Sequence, residues 1–167
     1  ELYDESLASS VSTMANVVAG NLVFQNLSLG LSGGSNTVLS LRGDANSSFV
    51  SDNVEFEVSP EGILLSSGNV IGSPVNSTAI ALIGGGNMSG TGPILVGTLF
   101  VAPGNISAGS SNVTIMEFEL DTITNGASSL VNEVTFDVLS GDPINDFVYM
   151  ELYDESLASS VSTMANV

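Results

Sequence analysis

The chain contains no cysteine, histidine, tryptophan or lysine, and its only basic residue is Arg42, set against eighteen carboxylates. Each absence removes a chemistry. Without histidine or cysteine there is no Ser-His or Cys-His nucleophile pair and no ordinary zinc site. Without lysine there is no Schiff base, no ammonium group to grip phosphate, and no Lys–Asn isopeptide cross-link. Without cysteine there is no disulfide, so stability rests on packing and strand pairing, and redox chemistry does not mark a compartment. The net charge of −17 makes nucleic acid and anionic membrane surfaces poor partners, since both attract Lys and Arg. No run of about eighteen apolar residues marks a membrane span, and no signal peptide is present. A chain opening on Glu1 without Met reads as a processed product or a window on something longer.

What the sequence does contain is a long exact repetition. Residues 1–17 and 151–167 are the same seventeen amino acids, ELYDESLASSVSTMANV. Fold constraints tolerate substitution, so a match of this length marks a repeat array. The period is too long for a solenoid turn and suits one whole domain per repeat. The first copy runs on into Val18-Ala19-Gly20, whereas the second stops at Val167. The expected organisation is therefore a junction segment at 1–17, a β-sandwich repeat domain at 18–150, and a junction segment at 151–167 leading into the next unit.

With 43% hydrophobic residues, the composition is that of a folded chain rather than a disordered one. Val54-Glu55-Phe56-Glu57-Val58 alternates apolar and acidic residues, the mark of a strand with one wet face. Thr114–Leu120 alternates likewise, with Met116, Phe118 and Leu120 inward, and so do Val134, Phe136 and Val138. Further strands are expected at Leu22–Leu31, Thr37–Leu41, Ile63–Leu65, Ala79–Ile83, Ile94–Val101 and Phe147–Tyr153. Gly33-Gly34, Gly84-Gly85-Gly86, Gly104-Asn105 and Asn125-Gly126 punctuate them as turns. About nine or ten short strands, with turn signals roughly every 8–15 residues, predict an all-β fold: an antiparallel β-sandwich of jelly-roll or Ig-like type.

The duplicated segment supports two readings. Leu7, Val11, Met14 and Val18 recur at helical spacing, with Asp4 or Ser6 as an N-cap and Gly20 as a stop. Ser, Thr, Asn and Val are indifferent helix formers, so the extended form is preferred, with Val11, Thr13, Ala15 and Val17 on one face. Phe147–Tyr153 is a nearly unbroken apolar run that predicts a strand buried on both faces. It crosses the period boundary, so the first copy holds only its second half.

Six Asn-X-Ser/Thr sequons, at Asn26, Asn46, Asn76, Asn87, Asn105 and Asn112, favour a glycosylated surface protein. Asp142-Pro143-Ile144-Asn145-Asp146 gathers oxygen ligands on a turn, and Asp142, Asn145 and Asp146 are the candidate ligands for calcium, the one cofactor considered. Asp154-Glu155, with its copy Asp4-Glu5, is a second acidic group that would join it at a junction. The competing reading is a solvated turn with Asx capping. Arg42-Gly43-Asp44 is the integrin-type tripeptide, but so short a pattern reads as an ordinary turn with an exposed, weak Arg42–Asp44 pair. Gly84-Gly85-Gly86-Asn87 lacks the Lys and Ser/Thr of a phosphate loop. Glu55/Glu57 and Glu117/Glu119 lie two apart on outward strand faces, the pattern of a solvated sheet rather than of a glycosidase pair. No enzyme activity is expected.

Ala79–Val101, a strand, a small-residue loop and an apolar strand ending in Gly97-Thr98-Leu99-Phe100, resembles a hallmark of cohesin-type modules. Val54–Leu65, with Ser59-Pro60-Glu61-Gly62 as a turn, is similar to the preceding strand pair of those modules. The resemblance covers about half of one period. It implies a jelly-roll sandwich of the carbohydrate-binding or cohesin type. Long-period repetition also looks like surface fibres and strand-donating pilins of bacteria and archaea.

These observations lead to a structural subunit or tandem repeat of an extracellular filament or cell-surface fibre. Its partner would be itself, head to tail, with a connecting strand shared between neighbours by β-strand complementation. Leu7, Val11 and Met14, or Phe147, Tyr149, Leu152 and Tyr153, are the candidate inter-subunit anchors. The alternative is a cohesin-like or adhesin module that recognises a protein or glycan.

Overall fold

A computed structural model describes residues 16–18, 20–51, 53–77, 92–98, 105–123, 126 and 128–164. The strands are β1 (Asn16–Val18), β2 (Asn21–Phe24), β3 (Leu29–Leu31), β4 (Asn36–Ala45), β5 (Glu55–Leu65), β6 (Ile71–Gly72), β7 (Val75–Asn76), β8 (Ile94–Gly97), β9 (Val113–Asp121) and β10 (Ser129–Ser140). A one-turn helix, α1 (Pro143–Asp146), then leads into β11 (Phe147–Asp154) and β12 (Ser159–Met164).

The strands form an all-β sandwich of two sheets. The first runs β1-β2-β10-β5-β7, with β3 also paired to β10; the second runs β12-β11-β4-β9-β8-β6. Every pairing is antiparallel except the short β6–β8 pair. Period-two alternation explains the core. Phe56 and Val58 of β5, Val134 and Phe136 of β10, and Met116, Phe118 and Leu120 of β9 all point inward and are buried. Phe136 joins the layers, meeting Phe24 and Phe118 edge-to-face at 5.9 Å in each case.

The structure departs from several sequence expectations. Leu22–Leu31 is broken into β2 and β3 at Asn26, whose φ of 54° cannot continue a strand. Val54–Val58 and Ile63–Leu65 belong to one strand, β5, and Ser59-Pro60-Glu61-Gly62 is a bulge rather than a turn. Val58 pairs with Phe136 and Ile63 with Val134, so those residues face Thr135. A bulge also accommodates Pro60, which has no N–H to give a ladder. β11 is not buried on both faces. Phe147, Met150 and Leu152 enter the core, while Val148 is exposed and Tyr149 and Tyr153 are half-buried, because no third layer among the described residues covers this sheet.

The second copy of the duplicated segment supplies the last half of β11 and all of β12, and is extended rather than helical there. The boundary expected between 150 and 151 falls inside β11. Of the first copy, only Asn16 and Val17 are described; with Val18 they form β1, the edge strand beside β2. β12 approaches β2, so β1 and β12 flank the same edge of the sandwich.

Candidate assembly site: the strand slot along β4

β4 lies at the centre of its sheet, paired with β9 on one side and β11 on the other. Leu39 and Leu41 alternate inward, which turns Val38, Ser40, Arg42 and Asp44 to the outer face. On the same face of β11, Glu151 stands opposite Arg42 and Tyr153 opposite Ser40.

Arg42 does not pair with Asp44 as its position in the tripeptide suggests. Its Nη2 donates to Glu155 Oε1 at 2.6 Å, and its Nε donates to Ser40 Oγ at 3.2 Å. The Ser40 hydroxyl, with 0% exposure, donates to the same Glu155 oxygen at 2.6 Å. The guanidinium lies over the Tyr153 ring, 3.5 Å from its centroid. Arg42 and Glu155 are 16% and 27% exposed, so the pair is shielded well beyond an ordinary surface ion pair.

Backbone contacts extend this clamp. Glu155 N–H donates to Val38 O at 2.8 Å, and Val38 N–H donates to Ser156 Oγ at 3.2 Å. The Asp154 carboxylate is buried and accepts from Ser156 N–H and Leu157 N–H, which closes the turn into β12. Beneath the clamp, Leu152 is 0% exposed and Val161 packs against the core. The side chains of Tyr153, Glu155 and Ser156 thus hold the duplicated segment to β4, while Asp154 shapes the turn between them and β12.

The tripeptide is a strand interior, not a turn. Gly43 faces inward where a Cβ would come within 2.9 Å of Phe147 and of Tyr149 O. Asp44 Oδ1 instead accepts from Asn112 N–H at 2.6 Å. Glu117 and Glu119 line the outer face of β9 as expected. Burial, reinforced by the neighbouring Asp121 charge, raises the Glu119 carboxyl above its usual range.

No family model matches the chain, and no curated protein or solved structure is significantly similar to it.

Among the other candidate sites, Asp146 is buried and accepts from Val50 N–H at 2.7 Å, Ser51 N–H at 3.1 Å and Asp142 N–H at 3.3 Å. Asn145 Nδ2 donates to Asp142 Oδ2 at 2.8 Å. Asp142 and Asn145 thus bond within the turn, while Asp146 ties the turn to the Val50-Ser51 segment. No group of three or more carboxylates able to hold a metal occurs among the described residues. Of the sequon asparagines, Asn26, Asn105 and Asn112 are exposed. Asn46 is half-buried and donates to Asn145 O, and Asn76 lies in β7. Asn87, Leu7, Val11, Met14 and most of Ala79–Val101 lie outside the described residues. Phe147 and Leu152 lie in the chain's own core, with Tyr149 and Tyr153 on the outer face of β11. No helix among the described residues is long and apolar enough to cross a membrane.

Sequence reasoning missed Ser40 and the Arg42–Glu155 pair. A signal was present: one cation among eighteen carboxylates marks a position where a positive charge is needed.

Proposed function

We propose that the chain is a structural repeat of an extracellular filament or cell-surface fibre, joined head to tail through the duplicated segment. One observation carries this reading. Different stretches of the repeated sequence enter the two sheets: residues 151–164 complete β11 and form β12, whereas Asn16 and Val17, followed by Val18, open the other sheet as β1. In a repeating chain, the stretch that ends as β12 of one unit begins β1 of the next, and only the position of Ala165, the copy of Ala15, separates them. A connection so short would couple neighbouring sandwiches closely. Head-to-tail contacts of this kind do not close on themselves, so they propagate a fibre. The exposed Asn26, Asn105 and Asn112 are suited to a glycan coat, and the net charge of −17 would keep fibres hydrated and apart.

The test is a protein of three consecutive periods studied by small-angle scattering and electron microscopy. The expected particle is a rod whose length grows by a constant increment per period. Freely jointed beads would sink the reading.

A further inference from the structure

We propose that the slot along β4 is a self-recognition site that accepts residues 1–14 of a second copy of this chain, in the place held here by residues 151–164. The inference rests on the fibre reading and names the site that would make it work between separate chains.

The groups that do the recognising lie outside both copies. They are Ser40, Arg42, the Val38 backbone, and the β4 ladder from Leu39 to Arg42. Everything they recognise is duplicated. Glu151, Leu152, Tyr153, Asp154, Glu155 and Ser156 recur as Glu1, Leu2, Tyr3, Asp4, Glu5 and Ser6. A second chain's first copy therefore brings the same ring for the guanidinium, the same carboxylate for Arg42 and Ser40, and the same apolar residue for the Leu152 position.

Charge makes the choice of occupant specific. Two copies of a chain with net charge −17 repel one another, and Arg42 is the only basic side chain either has to offer. The β4 slot is the one place where a basic side chain receives a neighbour's carboxylate. The second copy holds this place with the advantage of being tethered to β4 by its own backbone, through Phe147–Met150, which also pair with β4. A lesion confined to the second copy removes that advantage, and a neighbour's first copy would then compete for the ladder from Leu39 to Arg42.

The experiment uses the full chain. Leu152→Asp places a charge in the core but leaves Leu2 intact. Light scattering after size exclusion should show concentration-dependent oligomers with a β-type circular dichroism spectrum and a cooperative melt. The double variant L2D/L152D has no intact copy and should be an unfolded monomer. In the L152D background, Glu5→Gln should weaken association by about tenfold, because Glu5 now meets Arg42, whereas Glu155→Gln should leave it unchanged. The proposal is overturned if L152D fails to oligomerise, or if L2D/L152D oligomerises equally well. It is likewise overturned if E155Q weakens the L152D assembly as much as E5Q does. A rod from three linked periods alongside a monomeric L152D would reject this slot as a docking site between chains and leave the fibre reading standing.

Discussion

Asp146 shows how one buried carboxylate organises a loop. Burial alone would raise its pKa, but the hydrogen bonds from Val50, Ser51 and Asp142 outweigh that effect and hold it below the usual carboxylate range. The folded state thus prefers the ionised form. Its contribution is present above the unfolded-state pKa and is lost as pH falls through the lowered folded value. Asp146→Ala should destabilise the protein by roughly 2–3 kcal/mol at neutral pH. It should also flatten the loss of stability in acid, which urea denaturation at a series of pH values would reveal. A parallel acid profile in the variant would show that Asp146 is not the titrating group. Glu119 acts in the opposite sense. Its folded pKa lies above the usual carboxylate range, so its contribution improves as pH falls from neutrality through that raised value.

Among the elements, β5 carries a feature that neither propensity nor alternation could place. Its bulge brings Gly62 against β10, where an added Cβ would lie 2.7 Å from Thr135 O. Neither atom belongs to a flexible side chain, so one backbone must shift. Gly62→Ala should cost roughly 1–3 kcal/mol. Gly30→Ala is the matched control, since Gly30 also lies in a strand but nothing approaches its Cβ position within 4 Å. It should be close to neutral in thermal melts. Equal losses at the two positions would remove the bulge as the explanation. At the same scale, the β11–β12 hairpin joins its sheet through a clamp of three side chains, Tyr153, Glu155 and Ser156, with Asp154 fixing the turn. The pairing and the register of the duplicated segment therefore depend on one another.

For the whole molecule, the dominant electrostatic fact is imbalance. With eighteen carboxylates and one basic side chain, most charges in the fold are left to repel. Raising salt from about 10 mM to about 1 M shortens the screening length from about 30 Å to about 3 Å. The melting temperature should rise, by about 2–4 °C for each kcal/mol of repulsion removed in a domain of this size. A fall on adding salt would mean that the Arg42–Glu155 attraction outweighs the combined repulsion.

The duplicated segment stayed open to helix or strand on sequence alone, but the all-β class, the inward faces of β5, β9 and β10 and the repetition that motivates the fibre reading were all legible there. These follow from local alternation and from identity between segments, neither of which needs a partner strand to be known. Only the tertiary structure decided who meets whom. Arg42 finds Glu155 across a separation of 113 residues rather than Asp44 two positions away, because strand alternation puts Arg42 on the outer face and β11 brings Glu155 alongside it. β11 keeps one half-open face because no layer among the described residues covers it, a property of the stacking and not of its apolar run. Different stretches of the repeated sequence lie in different sheets, Asn16 and Val17 beside β2 and Glu151–Asp154 beside β4, a placement set by the neighbouring strands.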